Sequence, residues 1–319
     1  MDRLRNIGQF CRLLHIRRRY ALTVKPAPSD IQKDYPPRGP MHQYRLSEAT
    51  AFHCFRCGES KKSKLLTTYD HDWQRLLCNG CYGRLLSIYE IKAGTESDDD
   101  KAASLAALLL SLCDRDQSRE AQRLFALSER RAQLLTESSL RFVATSEHLS
   151  RVLVSVSELD WSPTTIGLCK AFETEVVARI IAPLSQAVSG VALDSDIRDK
   201  DIGRVARYCA DPSAAKPPEL GTFAHFLRTA LYSKTRRETS PLIRALFRLF
   251  ASWPDSTWLT DLEGFYDAVA RLTRDFRNRA AHTDVLLQSD YDSCRAFVIG
   301  PSGILWRLIH ATEPKARNA

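Results

Sequence analysis

No stretch of this 319-residue chain approaches the roughly 18 to 20 consecutive apolar residues needed to span a bilayer. The short apolar stretch near its N-terminus is broken by Arg12, Arg17, Arg18 and Arg19, which argues against both a membrane anchor and a secretory leader. No internal repeat is visible, and low complexity is confined to the acidic run at 98–100, so a repeat architecture is excluded. Cysteines are not organised as a disulfide framework: of nine, Cys11, Cys113, Cys169, Cys209 and Cys294 are scattered singly, as expected in a reduced compartment. These absences predict a soluble, cytoplasmic protein with no membrane partner.

With 44% hydrophobic and 26% charged residues, the chain has enough apolar surface for a real core, and its length suits about two or three modules. The net charge is +8 and the isoelectric point near 9.1. Lys and Arg in excess favour a polyanionic partner, because they displace condensed counterions from a phosphate backbone.

The pattern along the chain predicts a mostly α protein. Residues 1–22 look basic and partly amphipathic, after which Pro26, Pro28, Pro36, Pro37 and Pro40 argue against continued helix; residues 1–49 are expected as an N-terminal arm and proline-rich linker. A cysteine module occupies about 50–95. The aspartates at 98–100 suit the start of the next helix, and leucines at helical spacing predict a helical connector over 101–160. Trp161, Ser162, Pro163 and Thr164 are expected to break that pattern before an all-helical domain over 163–313. Within it, Ser240 followed by Pro241 reads as an N-cap with proline in the first turn. A key helix carries Leu262, Phe265, Tyr266, Val269, Leu272, Phe276 and Ala280 on a face expected to be buried. Arg271, Arg274, Asn278 and His282, with Arg277 beside them, form the opposite polar face.

Cys54, Cys57, Cys78 and Cys81 form two Cys-x-x-Cys pairs separated by twenty residues. Each pair can place two thiolates on one metal while the gap supplies a hairpin, which points to structural Zn2+. Redox dithiols are the alternative, but the strand–helix setting of such motifs is missing. The block Leu77-Cys78-Asn79-Gly80-Cys81, followed by Arg84, Leu85, Leu86 and Ile88, predicts ligands at the first turn of a helix, a treble-clef arrangement. With Thr68, Trp73 and Arg75, the segment resembles GATA-type fingers over about thirty residues. Its inter-pair gap is longer than that family's, and acidic residues stand where those fingers carry a basic tail, so DNA reading is not carried over. Arg56, Lys61, Lys62, Lys64, Arg75 and Arg84 are candidate phosphate contacts, and docking on another protein is the other use of such a module.

The second constellation is Arg277-Asn278-Arg279-Ala280-Ala281-His282, at the end of the key helix. It gathers a permanent cation, an amide and a titratable imidazole. Arg followed by His at this spacing is a cheap pattern in an arginine-rich chain. The asparagine, the alanines and the amphipathic helix beneath them are the informative context. Together these residues resemble the HEPN superfamily of ribonucleases and helical nucleotide-binding domains, over about residues 165–312. The resemblance implies a HEPN-like helical bundle and a metal-independent endoribonuclease acting as a homodimer on RNA, of the kind found in prokaryotic toxins and anti-phage defence. In that reading His282 is general base or acid for attack by the ribose 2′-hydroxyl, leaving a cyclic phosphate. Arg277 stabilises the phosphorane, Asn278 orients the imidazole or a phosphate oxygen, and Arg274 and Arg279 grip substrate. Glu173 or Glu175 is the expected carboxylate partner of Arg277. Residues five apart on an α-helix diverge by about 140°, so a complete site is expected to need two chains. The competing readings are that Arg277 neutralises the helix C-terminus and His282 caps its carbonyls, or that the chain is a non-catalytic nucleic-acid-binding or dimerising adaptor led by the finger, with a regulatory protein as partner.

Overall fold

The computed structural model describes residues 25–153, 160–282 and 285–313; the basic segment 1–22 and Cys11 lie outside them. Two compact units divide the chain, the first ending at Glu90 and the second beginning at Ile91. No helix among the described residues is long and apolar enough to cross a membrane.

The first unit is an antiparallel meander of β1 (Ile31–Asp34), β2 (Met41–His53), β3 (Ser60–Tyr69) and β4 (Asp72–Leu77). The helix α1 (Asn79–Ala93) follows and carries over into the second unit. Leu46, Phe52, Leu66 and Leu76 form its core, with Ile31 and Trp73 against them. Ile31–Asp34 and the first half of Met41–His53 were expected as linker. They lie instead in the sheet, because prolines flank these strands without interrupting them and β2 buries Met41, Leu46 and Phe52 while pairing with β1 and β3 on its two sides. A two-residue turn closes the β3–β4 hairpin with both Asp70 and His71 at positive φ, 53° and 59°, a geometry that matches the twist of antiparallel strands.

The second unit is helical. Its first helices are α2 (Asp98–Ser111), α3 (Arg115–Ser128), α4 (Glu137–Leu153) and α5 (Ser162–Val176). Further on come α6 (Gly203–Ala210), α7 (Leu220–Tyr232), α8 (Pro241–Ser252), the motif helix over 262–281, α9 (Gln288–Ile299) and α10 (Ile304–Thr312), with short turns between. A new helix does begin at this point, with Trp161 ahead of it and Ser162, Pro163 and Thr164 already inside its first turn, since proline is tolerated there where its missing N–H is not needed. Helix α5 is buried along nearly its whole length, and α2, α4, α9 and the motif helix pack around it. The segment expected as a separate connector is therefore part of the same compact unit. Close approach explains Gly167: a methyl there would run into Ser146 of α4 and Leu109 of α2. Phe172, Phe223, Phe250, Trp258 and Phe265 make an aromatic cluster that anchors the start of the motif helix. Ser240 caps α8 by accepting from the Ile243 amide at 3.1 Å.

Candidate functional sites

The four cysteines come together as the strands and α1 require. Cys54 follows β2 and Cys57 sits in the turn to β3, where Gly58, at φ +71°, donates to the Cys54 carbonyl at 2.7 Å. Cys78 immediately precedes α1 and Cys81 lies in its first turn, so this pair sits between β4 and α1, the strand–helix setting the sequence did not reveal. All four sulfur atoms lie within 4.8 Å of one another, and Cys57 and Cys78 are 3.9 Å apart. A tetrahedral site with Zn–S bonds of about 2.3 Å needs sulfurs about 3.8 Å apart, so the cluster fits a metal of that size. A hydrogen bond from Cys81 holds the Cys54 thiol down to about 4, and the same contact pushes Cys81 up. A dication bound among the four sulfurs would favour four thiolates.

The neighbouring cations divide. Arg56 is largely buried against Cys81, and burial depresses its pKa. Arg75 faces Asp70 and Asp72 at 3.9 and 3.3 Å. Lys61 pairs with Glu59 at 2.6 Å, and Lys64 donates to the Ser47 carbonyl at 2.8 Å. Lys62 and Arg84 are exposed, and Lys62 forms no ion pair among the described residues.

The motif helix departs from the regular α geometry expected of it. Residues Leu272–Asn278 take π-helical hydrogen bonding, which is rare and frequent at functional sites. Phe265, Val269, Leu272, Phe276 and Ala280 of the expected inner stripe are buried, whereas Tyr266 is half-buried and Leu262 is 40% exposed. Arg277 is the larger departure: expected beside the polar face, it is only 3% exposed. Its guanidinium is paired with Asp99 in the first turn of α2, stands 3.9 Å from Glu219 and donates to Asn278 Oδ1 at 3.0 Å. Its Nε is buried with no partner.

The expected partners of Arg277 are engaged elsewhere. Glu173 accepts from Lys170 at 2.6 Å and from the Leu220 amide at 2.9 Å. Glu175 accepts from Arg179 at 2.6 Å and from the Thr136 amide at 2.7 Å. The acidic run at 98–100 supplies the counterion instead. Ser97 caps α2 by accepting from the Asp100 amide at 3.2 Å, which fixes the first turn that carries Asp98 and Asp99.

His282 ends the helix and is exposed, with Nε2 3.6 Å from Asp98 Oδ2. Its ring therefore meets a carboxylate and not the helix carbonyls a cap would contact. Arg277 and His282 thus reach adjacent residues of one helix within a single chain, by contacts no spacing rule on an isolated helix reveals. Of the expected substrate contacts, Arg274 is 70% exposed and bonded only to its neighbour Asp275 at 2.7 Å. Arg279 pairs with Asp290 at 2.9 Å.

Glu219, missed in the sequence, belongs to this cluster. Burial, then the hydrogen bond to Asp99, raises its carboxyl to about 7. Gly221 stands next to it, where an added methyl would lie 3.3 Å from Asp99 Oδ1 and 3.8 Å from Arg277 Nη1. Two acids sharing one cation, one of them titrating near neutrality, form a group able to bind or release a proton beside an oxyanion. The only sequence trace of Glu219 is its position ahead of Leu220-Gly221 at the start of a helix. No family model matches the chain, and neither the curated proteins nor the solved structures contain a match to it.

Proposed function

We propose that the chain is a metal-independent endoribonuclease of the HEPN type, with His282 as general base or acid, Arg277 stabilising charge on the phosphorane and Asn278 orienting its neighbours. The observation that carries this reading is the junction of α2 with the motif helix, where Arg277 and His282 meet Asp99 and Asp98 of the same turn. The exposed imidazole is free to meet a ribose 2′-hydroxyl. The guanidinium is held by a carboxylate that a phosphate can replace, since the planar fork of arginine donates two N–H bonds to the oxygens of either group. A homodimer through the helical unit completes the cleft on this reading. Arg274 and Arg279 flank it, and a prokaryotic toxin or anti-phage effector is the role that fits. Zn2+ is the ion we assign to the cysteine cluster, as a structural staple with no part in the reaction. The test is cleavage of diverse RNAs by the purified protein against His282→Ala. The reading requires ends bearing cyclic phosphate with the parent and their loss in the variant; equal cleavage by both overturns it.

A second reading is favoured by the burial of Arg277. A guanidinium 3% exposed and neutralised by Asp99 is also what a non-cleaving, dimerising or nucleic-acid-binding adaptor would retain as a structural pair. Intact RNA and tight RNA binding with the parent protein would select it.

A further inference from the structure

Beside the Arg277–Asp99 pair, the second unit contains an open cavity of about 320 Å³, lined among others by Asp99, Arg204, Arg207, Lys216, Glu219 and Thr222. Its size is at the low end of the roughly 300–1,000 Å³ of small-molecule sites. Arg204 and Arg207 stand three residues apart on α6, on one face, while Val205, Ala206 and Cys209 on the other face are buried. Lys216 is brought to the same rim by the loop that precedes α7, where Pro217 and Pro218 restrict the backbone.

These three cations are exposed and make no ion pair among the described residues. Arg204 donates only to Thr222 Oγ1 at 3.4 Å and Arg207 only to the Ile197 carbonyl at 3.2 Å. Arg236, in contrast, also near α7, is bonded to Asp199 and Asp201 at 2.8 Å each. The carboxylates of the cavity do not cancel them. Asp99 is taken by Arg277, burial raises the Glu219 carboxyl to about 7 and weakens its charge, and Asp100, which accepts from the Ser97 hydroxyl at 2.7 Å, is a single carboxylate against three cations. The result is a rim of surplus positive charge in a groove whose lining includes Asp99, the carboxylate paired with the buried Arg277.

We propose that this groove is the backbone subsite for a single RNA strand, in which Arg204, Arg207 and Lys216 hold phosphates flanking the one presented to Arg277 and His282. The subsite rests on the ribonuclease reading for its direction but is tested apart from it. Three cations along a groove suit successive phosphates of a strand better than the one terminal phosphate of a mononucleotide, and flexible or forked cations on the backbone give grip without base selection.

The experiment measures binding of a fluorescently labelled, fully 2′-O-methylated 12-nucleotide RNA, which cannot be cleaved by 2′-hydroxyl attack, to the full-length chain across a salt series. Arg204→Ala/Arg207→Ala/Lys216→Ala is compared with the equally charged control Arg228→Ala/Arg244→Ala/Arg248→Ala, all exposed arginines that do not line the groove. The groove triple is expected to weaken binding by at least about tenfold and to lower the slope of log K against log salt by about two, at about 0.7 per lost contact on a single strand. The control is expected to change affinity by no more than about twofold. Equal losses in both triples would reduce the effect to net charge and overturn the proposal, as would no loss in either. Competition by free AMP with RNA binding insensitive to the groove triple would make the cavity a mononucleotide site and also overturn it. Groove-dependent binding by a protein that leaves cleavable RNA whole would sink the ribonuclease reading and leave the subsite standing.

Discussion

Arg277 and His282 differ in what a mutation of each can mean. Arg277 is buried but its partner Asp99 is 20% exposed, so removing the arginine leaves a partly hydrated charge uncompensated, at a cost below the roughly 3–5 kcal/mol of a fully buried pair. Arg277→Ala is therefore expected to lower the denaturation midpoint sharply in equilibrium unfolding, so that lost activity in this variant reports folding as well as chemistry. His282, exposed at the helix end, should change stability by less than about 0.5 kcal/mol when replaced by alanine, which makes it the cleaner probe.

Glu219 makes a separate prediction at the same scale. Its carboxyl is raised by burial above the ordinary value of 4.5 to about 7, so the folded chain holds this proton more tightly than the unfolded one. The stability tied to Glu219 is fully present below about pH 4.5 and is lost as pH rises through about 7. Glu219→Gln should thus gain stability relative to the parent as pH rises from 4.5 to 7, with no further gain above that. Thermal midpoints measured against pH check this; a constant difference between the two proteins would contradict the burial of the carboxyl.

At the scale of elements, the first turn of α2 positions the counterions, and its cap is Ser97. Ser97→Ala should cost about 1 kcal/mol and loosen both Asp98 and Asp99. Gly167→Ala tests the neighbouring packing: a methyl wedged between α5, α2 and α4 should cost about 1–3 kcal/mol as overpacking does. Denaturant titration reads both. Much of this layer was legible beforehand, because caps and periodicity are local. Ser240 starts a helix where expected, and the acidic run at 98–100 opens α2. What was not legible depends on contacts distant in sequence. Asp99 lies 178 residues from Arg277, and Glu219 acquires its shift only from its surroundings. The π-helical turn of 272–278 turns Arg277 inward, whereas a regular 3.6-residue period puts it beside the polar stripe. The strands before residue 50 were hidden by flanking prolines, which read as linker when the pairing partner is unknown.

For the whole molecule, the two units should answer separately to metal removal. The small sheet of the first unit has a short core and four thiols converging on one point, so its folding is expected to depend on the ion. One equivalent of Zn2+ per chain is the expected content by elemental analysis. A strong chelator, or Cys57→Ser, should remove an early unfolding transition while leaving the helical signal of residues 91–319 largely in place. Loss of both transitions together would show that the units do not fold independently. The pairing of Arg277 and His282 with one turn of one chain also relocates the need for a dimer. A second copy is not required to bring these two residues to a common helix, and its part in the proposed site is to close the cleft around substrate.

The most direct measurement is therefore end-mapping of RNA incubated with the parent protein and with His282→Ala, both shown by circular dichroism to be folded. The ribonuclease account predicts fragments ending in 2′,3′-cyclic phosphate with the parent, formed equally in the presence of chelator during the assay, and none with the variant. Intact RNA with the parent, or the same ends from both proteins, would contradict it.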